Sequence, residues 1–395
     1  MDFRLTDEQV ERRKQFFEVC KELDTEKPPN FTGLEGIYDS EEGMQYHLYC
    51  AREFAKRGWL SLGWPAEYGG TGTITDRVFL SEARGYYDVP GVDVFGVSML
   101  APTLLAAASE EIKREFLPRI AAGEITFCEL WSEPNAGSDL ASLTTAAVRE
   151  GDEYVINGQK IWSSGAHRAD WAFALVRTDP HAERKQNGIT FILFDMKTPG
   201  ITVSPLHFMD GGHLYNEVFL DDVRVPARYV VGEENKGWQV TQMLAGFERS
   251  GMEAIMGMRR LIDDLVEYCN ETIVDGEPLA KNPLIRNRIA EVTCQVEALR
   301  ALAYKVVDQQ SRDEMGAFDA AGIKVFAGDT LARLAPLGAE ILGPFGQIKA
   351  SRWARIGGFY EKMYQQYFIM TIAMGTNEVL RNIIAWYGLG LPRVK

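Results

Sequence analysis

The chain has 395 residues, which at about 150 residues per domain is enough for two or three domains. Its composition, 46% hydrophobic, 25% charged and 11% aromatic, is that of a globular protein and excludes a disordered or collagen-like chain. With 42 Lys and Arg against 56 Asp and Glu the net charge is -14 and no basic cluster stands apart, so no nucleic acid is expected as partner. An anionic ligand would have to be held by local amides and hydroxyls.

Five cysteines (Cys20, Cys50, Cys128, Cys269, Cys294) form no CxxC pair, so neither a zinc site nor a disulfide framework is expected. The opening Met1-Asp2-Phe3-Arg4-Leu5 has no signal or transit pattern, and a cytoplasmic location is expected. In chain order, Thr6 and Gln9 make a capping box before Val10, Phe16, Phe17, Cys20 and Leu23 at helical spacing. Trp64-Pro65-Ala66-Glu67-Tyr68-Gly69-Gly70-Thr71-Gly72 breaks the helical pattern. An apolar stretch from Val94 to Ser109 is shorter than the roughly 18 residues of a membrane span and contains Pro102, so a buried helix and no membrane span are expected.

From about Thr126 the period changes to two, with strands expected at 153–156, 171–177, 189–194 and 217–225. Gly151-Asp152 and Asn157-Gly158 both read as hairpin turns. After Gly232 helical patterns return near 238–270, 284–311, 317–342 and 351–387. The expected fold is α+β: an N-terminal helical domain (1–125), a central antiparallel β domain (126–232) and a C-terminal four-helix-bundle domain (233–395).

Trp131-Ser132-Glu133-Pro134-Asn135-Ala136-Gly137-Ser138-Asp139 packs hydroxyls and turn residues into one loop, able to aim donors at phosphate or a heteroaromatic ring. Gln159-Lys160-Ile161-Trp162-Ser163-Ser164-Gly165 sets an indole beside a hydroxyl in a second loop. With Val223-Arg224-Val225-Pro226, Gly232-Glu233, Gly237-Trp238, Trp64-Pro65 and Gly375-Thr376-Asn377-Glu378-Val379-Leu380-Arg381, these motifs resemble the acyl-CoA dehydrogenase family in order and spacing over the whole chain. The resemblance implies FAD as cofactor and oxidation of an acyl-CoA thioester to the 2-enoyl-CoA. It implies that Ser132 and Ser164 contact the flavin ring, that Trp162 packs against it, and that Ser138 lies near the phosphates of cofactor and CoA. Thr376 and Glu378 fall in the segment touching the ribityl and phosphate region, and Arg249 on the substrate side.

Many members carry a Glu immediately before the Gly-Thr of the C-terminal motif, where this chain has Met374, which cannot accept a proton. A smaller group takes the base from the helix after the β domain, immediately before an arginine, and here Glu248-Arg249 stands there. Glu248 also lies at helical spacing from Leu244, Met252 and Ile255, where burial would strengthen it as a base. The resemblance then implies that Glu248 removes the α-proton while the β-hydrogen leaves as hydride, the thioester carbonyl being polarised in part by the Met374 backbone N–H. Electron-transferring flavoprotein or another acceptor is the implied redox partner.

Two features depart from homotetrameric members: no Arg-x-x-Phe stands near Cys269-Asn270-Glu271-Thr272-Ile273, and Glu340 replaces the Gln that precedes a Gly-Gly, where it would repel a pyrophosphate. With the ending Gly388-Leu389-Gly390-Leu391-Pro392-Arg393, the chain is similar to catalytic subunits of heteromeric bacterial members acting on bulky thioesters such as steroid side chains. A homo-oligomer and a heteromer with a second such chain both stay open. The alternative functions are a flavin oxidase or monooxygenase on the same fold, and a non-catalytic subunit. Asp93, on the loop before the apolar helix, could face the acyl pocket but reads rather as a solvated turn residue, and His213 reads as a loop residue; no metal site is expected.

Overall fold

The computed structural model describes residues 4–29, 31, 33–247, 251–312, 317–349 and 351–393. Helices precede a sheet and helices follow it. The chain packs as two compact units, one of Gly33–Thr73 and Pro90–Glu248, the other of Met1–Thr32, Ile74–Val89 and Arg249–Lys395.

The first unit holds the seven-stranded sheet: β1 (Phe127–Leu130), β2 (Ala146–Glu150), β3 (Glu153–Lys160), β4 (Trp171–Arg177), β5 (Ile189–Asp195), β6 (Ile201–Leu206) and β7 (Tyr215–Pro226). The order is β1-β4-β2-β3-β7-β6, with β5 also on β4. Antiparallel pairing joins β2 to β3, β3 to β7, β4 to β5 and β6 to β7, while β4 meets β1 and one residue of β2 in parallel. Ala172–Val176 and Ile189–Phe194 are buried at successive positions, so these strands are covered on both faces and do not alternate.

Gly151 turns β2 into β3 at φ +63, as the sequence suggests. Asn157-Gly158 does not make a hairpin. It forms a bulge inside β3, and the residue there is glycine because any Cβ would stand 2.5 Å from the Thr145 hydroxyl oxygen. The Asn157 amide faces Asp222 of β7, donating to its carboxylate at 3.0 Å and accepting from its N–H at 2.8 Å.

Asp93 is also unlike its sequence reading. It is 8% exposed, and its carboxylate accepts from the N–H groups of Phe95 (3.2 Å), Gly96 (3.0 Å) and Phe127 (3.0 Å). The apolar segment that follows enters as a π-helical turn (Val94–Leu100) and continues as the Ala101–Ala107 helix, and Asp93 ties its start to β1. Burial pushes this carboxyl up to about 7 against the pull of its three amide donors.

In the second unit the Thr6–Gln9 capping box forms as read, opening the Asp7–Asp24 helix. The core gathers Met252, Ile255, Leu261 and Leu265 with Val296, Leu299 and Leu334, and the Tyr360 hydroxyl donates to the Leu261 carbonyl at 2.9 Å. The Ile74–Tyr87 and Met252–Glu271 helices approach so closely at Gly85 that a Cβ would lie 2.1 Å from the Glu253 carbonyl oxygen. Two helices expected as single runs are interrupted. Met252–Glu271 starts afresh at Gly251 (φ +59), and the 351–387 region divides into Phe359–Gln366, Ile369–Ile372 and Asn377–Ile383, with Gly357, Gly358, Met374 and Gly375 at positive φ at the breaks.

Glu82 on the Ile74–Tyr87 helix is wholly buried between two arginines, accepting from Arg13 at 2.6 Å and from Arg300 at 2.8 Å. Its carboxylate thereby joins the Asp7–Asp24, Ile74–Tyr87 and Pro283–Ser311 helices. Glu82→Ala leaves two guanidinium groups facing each other without the carboxylate, and chemical denaturation should show a loss of about 3 kcal/mol.

Candidate active site

The two loops singled out in the sequence meet at the end of β3. The Ile161 N–H donates to the Ser132 carbonyl at 2.9 Å, which sets the start of the Trp162–Ser164 turn beside the 131–138 loop. Beneath this junction lies Lys160, with no exposed surface, donating to the carbonyls of Trp131 (3.0 Å) and Leu175 (2.8 Å) and to the Glu133 carboxylate (3.0 Å). Glu133 accepts in addition from the N–H groups of Thr144 (2.7 Å) and Thr145 (2.8 Å) and the Thr144 hydroxyl (2.9 Å). Desolvation raises the Glu133 carboxyl, but the Lys160 ammonium and the threonine donors outweigh it and hold it down at about 2, so the pair is ionised.

Trp162 sits at φ +61, a left-handed conformation that a bulky residue adopts only when its surroundings enforce it, and its indole is 55% exposed. The Ser163 hydroxyl that follows it and the Trp131 indole nitrogen of the other loop are buried with no hydrogen-bond partner among the described residues. Ser132 and Ser164 are half-buried, and Ser138 is exposed further along its loop, beside the Asp139–Lys185 pair at 2.9 Å.

In the other unit, Met374 (φ +57) and Gly375 (φ +83) make a left-handed turn into the Asn377–Ile383 helix. Thr376 caps that helix by accepting from the Val379 N–H at 3.2 Å, and Glu378 is exposed in its first turn. The Met374 side chain is 56% exposed, and among the described residues nothing accepts its N–H. Lys324 fixes the turn from behind, donating to the Gly375 carbonyl at 2.7 Å and to the Asn377 side chain at 3.0 Å. Burial pulls Lys324 down to about 8, opposed by Glu378 and Asp329. Sequence reasoning missed Lys324, because a lone lysine in a helical pattern carries no signal of the carbonyl it meets.

Glu248 and Arg249 lie outside the described residues. Leu244, Met252 and Ile255 are each buried, but the break at Gly251 means that the helical stripe read through Glu248 is not one continuous helix. Glu340 is exposed and paired with Arg288 at 2.6 Å, so its charge is locally compensated. His213 stacks on His167 at 4.0 Å, and among the described residues no group of three or more His, Cys, Asp and Glu could hold a metal ion.

An exposed indole held in a strained turn offers an apolar face on which a large heteroaromatic ring can pack, with the half-buried Ser132 and Ser164 hydroxyls on the same two loops; the residues present therefore fit a flavin. Among the described residues no helix is long and apolar enough to cross a membrane.

Comparison with known proteins agrees with the geometry. The chain matches the acyl-CoA dehydrogenase N-terminal domain over residues 10–124, the middle domain over 128–223 and the C-terminal domain over 235–387. It is 33% identical to acyl-CoA dehydrogenase FadE26 of Mycobacterium tuberculosis, covering 100% of this chain and 99% of that protein. Its fold is similar to the ChsE4-ChsE5 complex from Mycobacterium tuberculosis (TM-score 0.89, 33% identity) and to the Tcur3481-Tcur3483 steroid ACAD (TM-score 0.89, 32% identity), each likeness covering 100% of both chains. The chain belongs to the acyl-CoA dehydrogenase family, whose members are FAD flavoproteins and oxidoreductases acting on acyl-CoA.

Proposed function

We propose that this enzyme desaturates a bulky acyl-CoA thioester between its α and β carbons, with Glu248 as the base that takes the α-proton. The observation that carries this reading is at position 374: the residue there is a methionine, which offers a backbone N–H and no basic side chain, so the base must come from elsewhere in the chain. Glu248, followed by Arg249, is the carboxylate that the family pattern offers.

Bound FAD would supply the acceptor for the β-hydride. Ser132, Trp162 and Ser164 are proposed to hold its ring, Thr376 and Glu378 to lie along its ribityl and phosphate region, and Ser138 to serve the phosphates of cofactor and CoA. The Met374 N–H would donate to the thioester carbonyl oxygen, lowering the cost of developing negative charge there as Glu248 removes the proton. Arg249 is proposed to act on the substrate side. Electron-transferring flavoprotein or another acceptor is proposed as redox partner. A glutamate at the sequence position where one group of the family carries its base favours desaturation over the oxidase and monooxygenase alternatives, and over a non-catalytic subunit.

A heteromer with a second acyl-CoA dehydrogenase-like chain is the proposed assembly. The likeness to the ChsE4-ChsE5 complex and to the Tcur3481-Tcur3483 steroid ACAD supports it, as does the lack of an Arg-x-x-Phe near Asn270. The steroid named for one of them supports a bulky, polycyclic acyl group.

Glu248→Gln preserves shape and removes basicity. Anaerobic stopped-flow mixing with acyl-CoA thioesters should show flavin bleaching slowed by about 10²-fold or more with FAD still bound, and near-normal bleaching would exclude Glu248 as the base. Expressed alone, the chain should carry less than one FAD per subunit, and co-expression with a second family chain should raise both flavin content and turnover. Flavin absorbance per chain with native mass decides this, and a fully loaded, active homotetramer would rule out the heteromer.

A further inference from the structure

Three of the chain's five histidines gather behind the Trp162–Ser164 turn. The rings of His167 and His213 stack at 4.0 Å with 16° between their planes, and His207 lies 5.3 Å from His213. Between this stack and the turn stands Asn216, with no exposed surface. Its backbone exchanges hydrogen bonds with Ser163, accepting from the Ser163 N–H at 3.0 Å and donating to the Ser163 carbonyl at 3.1 Å. Its side-chain nitrogen also donates to the Ser163 carbonyl at 3.0 Å and meets His167 Nδ1 at 3.1 Å, while its oxygen meets His213 Nε2 at 2.9 Å.

The partners assign the protons. His167 Nε2 faces the Tyr38 carbonyl at 3.2 Å, and a carbonyl only accepts, so Nε2 carries hydrogen. His167 Nδ1 faces an amide N–H, so it must offer a lone pair, and the ring must be neutral. His213 Nε2 faces the amide oxygen and donates. Every polar atom of Asn216 is committed, and the commitment holds only while His167 is uncharged.

We propose that Asn216, braced by the stacked His167 and His213, positions the Trp162–Ser164 turn, and that protonation of His167 releases it. A proton on Nδ1 sets N–H against N–H at 3.1 Å and places a cation flat on the neighbouring imidazole. The surroundings are mixed in charge. Arg168 shares the Tyr38 carbonyl at 3.1 Å and pairs with Glu41 at 2.9 Å; Asp39 accepts from the His213 N–H at 2.7 Å; Asp210 is buried in the loop before His213. Burial lowers His167 below the ordinary histidine range, opposed by the Tyr38 carbonyl and reinforced by His213 and Arg168; Asn216 would raise it only with its oxygen toward Nδ1, and the Ser163 and Leu214 carbonyls hold the amide nitrogen there instead. Because the folded-state value is depressed, the stabilisation is present above the unfolded value of about 6.5 and is lost as pH falls through the folded one.

The effect of this release on cofactor rests on the turn facing the flavin, as proposed above; the release itself does not. Amide hydrogen exchange on the purified protein reads the turn directly, at the N–H groups of Ser163 and Gly165, which donate to the Asn216 and Leu214 carbonyls at 3.0 and 2.8 Å. After correction for intrinsic rates, their protection should fall about tenfold or more between about pH 7.5 and about pH 5.5. His167→Gln keeps an acceptor for Asn216 and a donor for Tyr38 but cannot be protonated, so its protection should stay level, and Asn216→Ala should lose protection at both values. Wild-type protection that stays flat, or a fall that persists in His167→Gln, overturns the proposal. FAD release followed by flavin fluorescence should track the exchange in the wild type. In the FAD-loaded assembly co-expressed with its second chain, FAD release that stays level between these pH values while the exchange protection falls sinks the cofactor reading alone, since the exchange comparison still decides the release.

Discussion

A lysine ammonium with no contact to water constrains the sheet unit. Lys160 can remain charged at 0% exposure only while the Trp131 and Leu175 carbonyls and the Glu133 carboxylate stand around it at 2.8 to 3.0 Å. Those partners belong to β4 and to the loop after β1, while Lys160 ends β3, so three stretches distant in sequence are held to one geometry. Moving any of them strands a buried charge. The bond from Ile161 to Ser132 inherits this precision, and the Trp162 turn therefore starts from a fixed point.

A fixed start allows strain to be carried. Asp88, Asp222, Asn235 and Asp275 also adopt positive φ, but short polar side chains visit that region at little cost; Trp162, Ile356 and Met374 do not. Trp162 and Met374 share a construction although they lie in different units. Each has an exposed side chain and a left-handed backbone, and each lies within two residues of a lysine-to-carbonyl tie: Lys160, two residues before Trp162, donates to the Trp131 carbonyl, and Lys324 donates to the carbonyl of Gly375, which follows Met374. Rigid elements hold the lysines, and the lysines hold turns that relaxed chain would not adopt.

The sequence told most about what depends on local pattern. Thr6 and Gln9 announced their helix, Gly151-Asp152 its turn, and the loop motifs their family, because each is a short-range matter of caps, φ or adjacent residue types. It misled where a distant group decides the outcome. Asn157-Gly158 has a hairpin composition, yet Asp222 and Thr145 make it a bulge. Asp93 has turn composition, yet the Phe127 N–H lies 34 residues away and draws it inside. Lys324 and Asn216 were silent for the same reason: their partners lie 51 and 53 residues away, and no periodicity encodes such pairs.

Charge shows how the same limit bears on assembly. A net charge of -14 spread over the whole chain matters little at any one spot, since exposed charges are screened beyond about 8 to 10 Å. What a pyrophosphate meets is decided by the nearest few groups. Glu340 looks hostile in the sequence, but with the Arg288 guanidinium at 2.6 Å it presents an ion pair with no net charge. A second chain is therefore called for by the absent Arg-x-x-Phe and by the likeness to paired-chain relatives, not by repulsion at Glu340. Missing donors can be supplied by any partner whose surface fits, which makes flavin content with and without that partner a sharper question than the acidity of this chain.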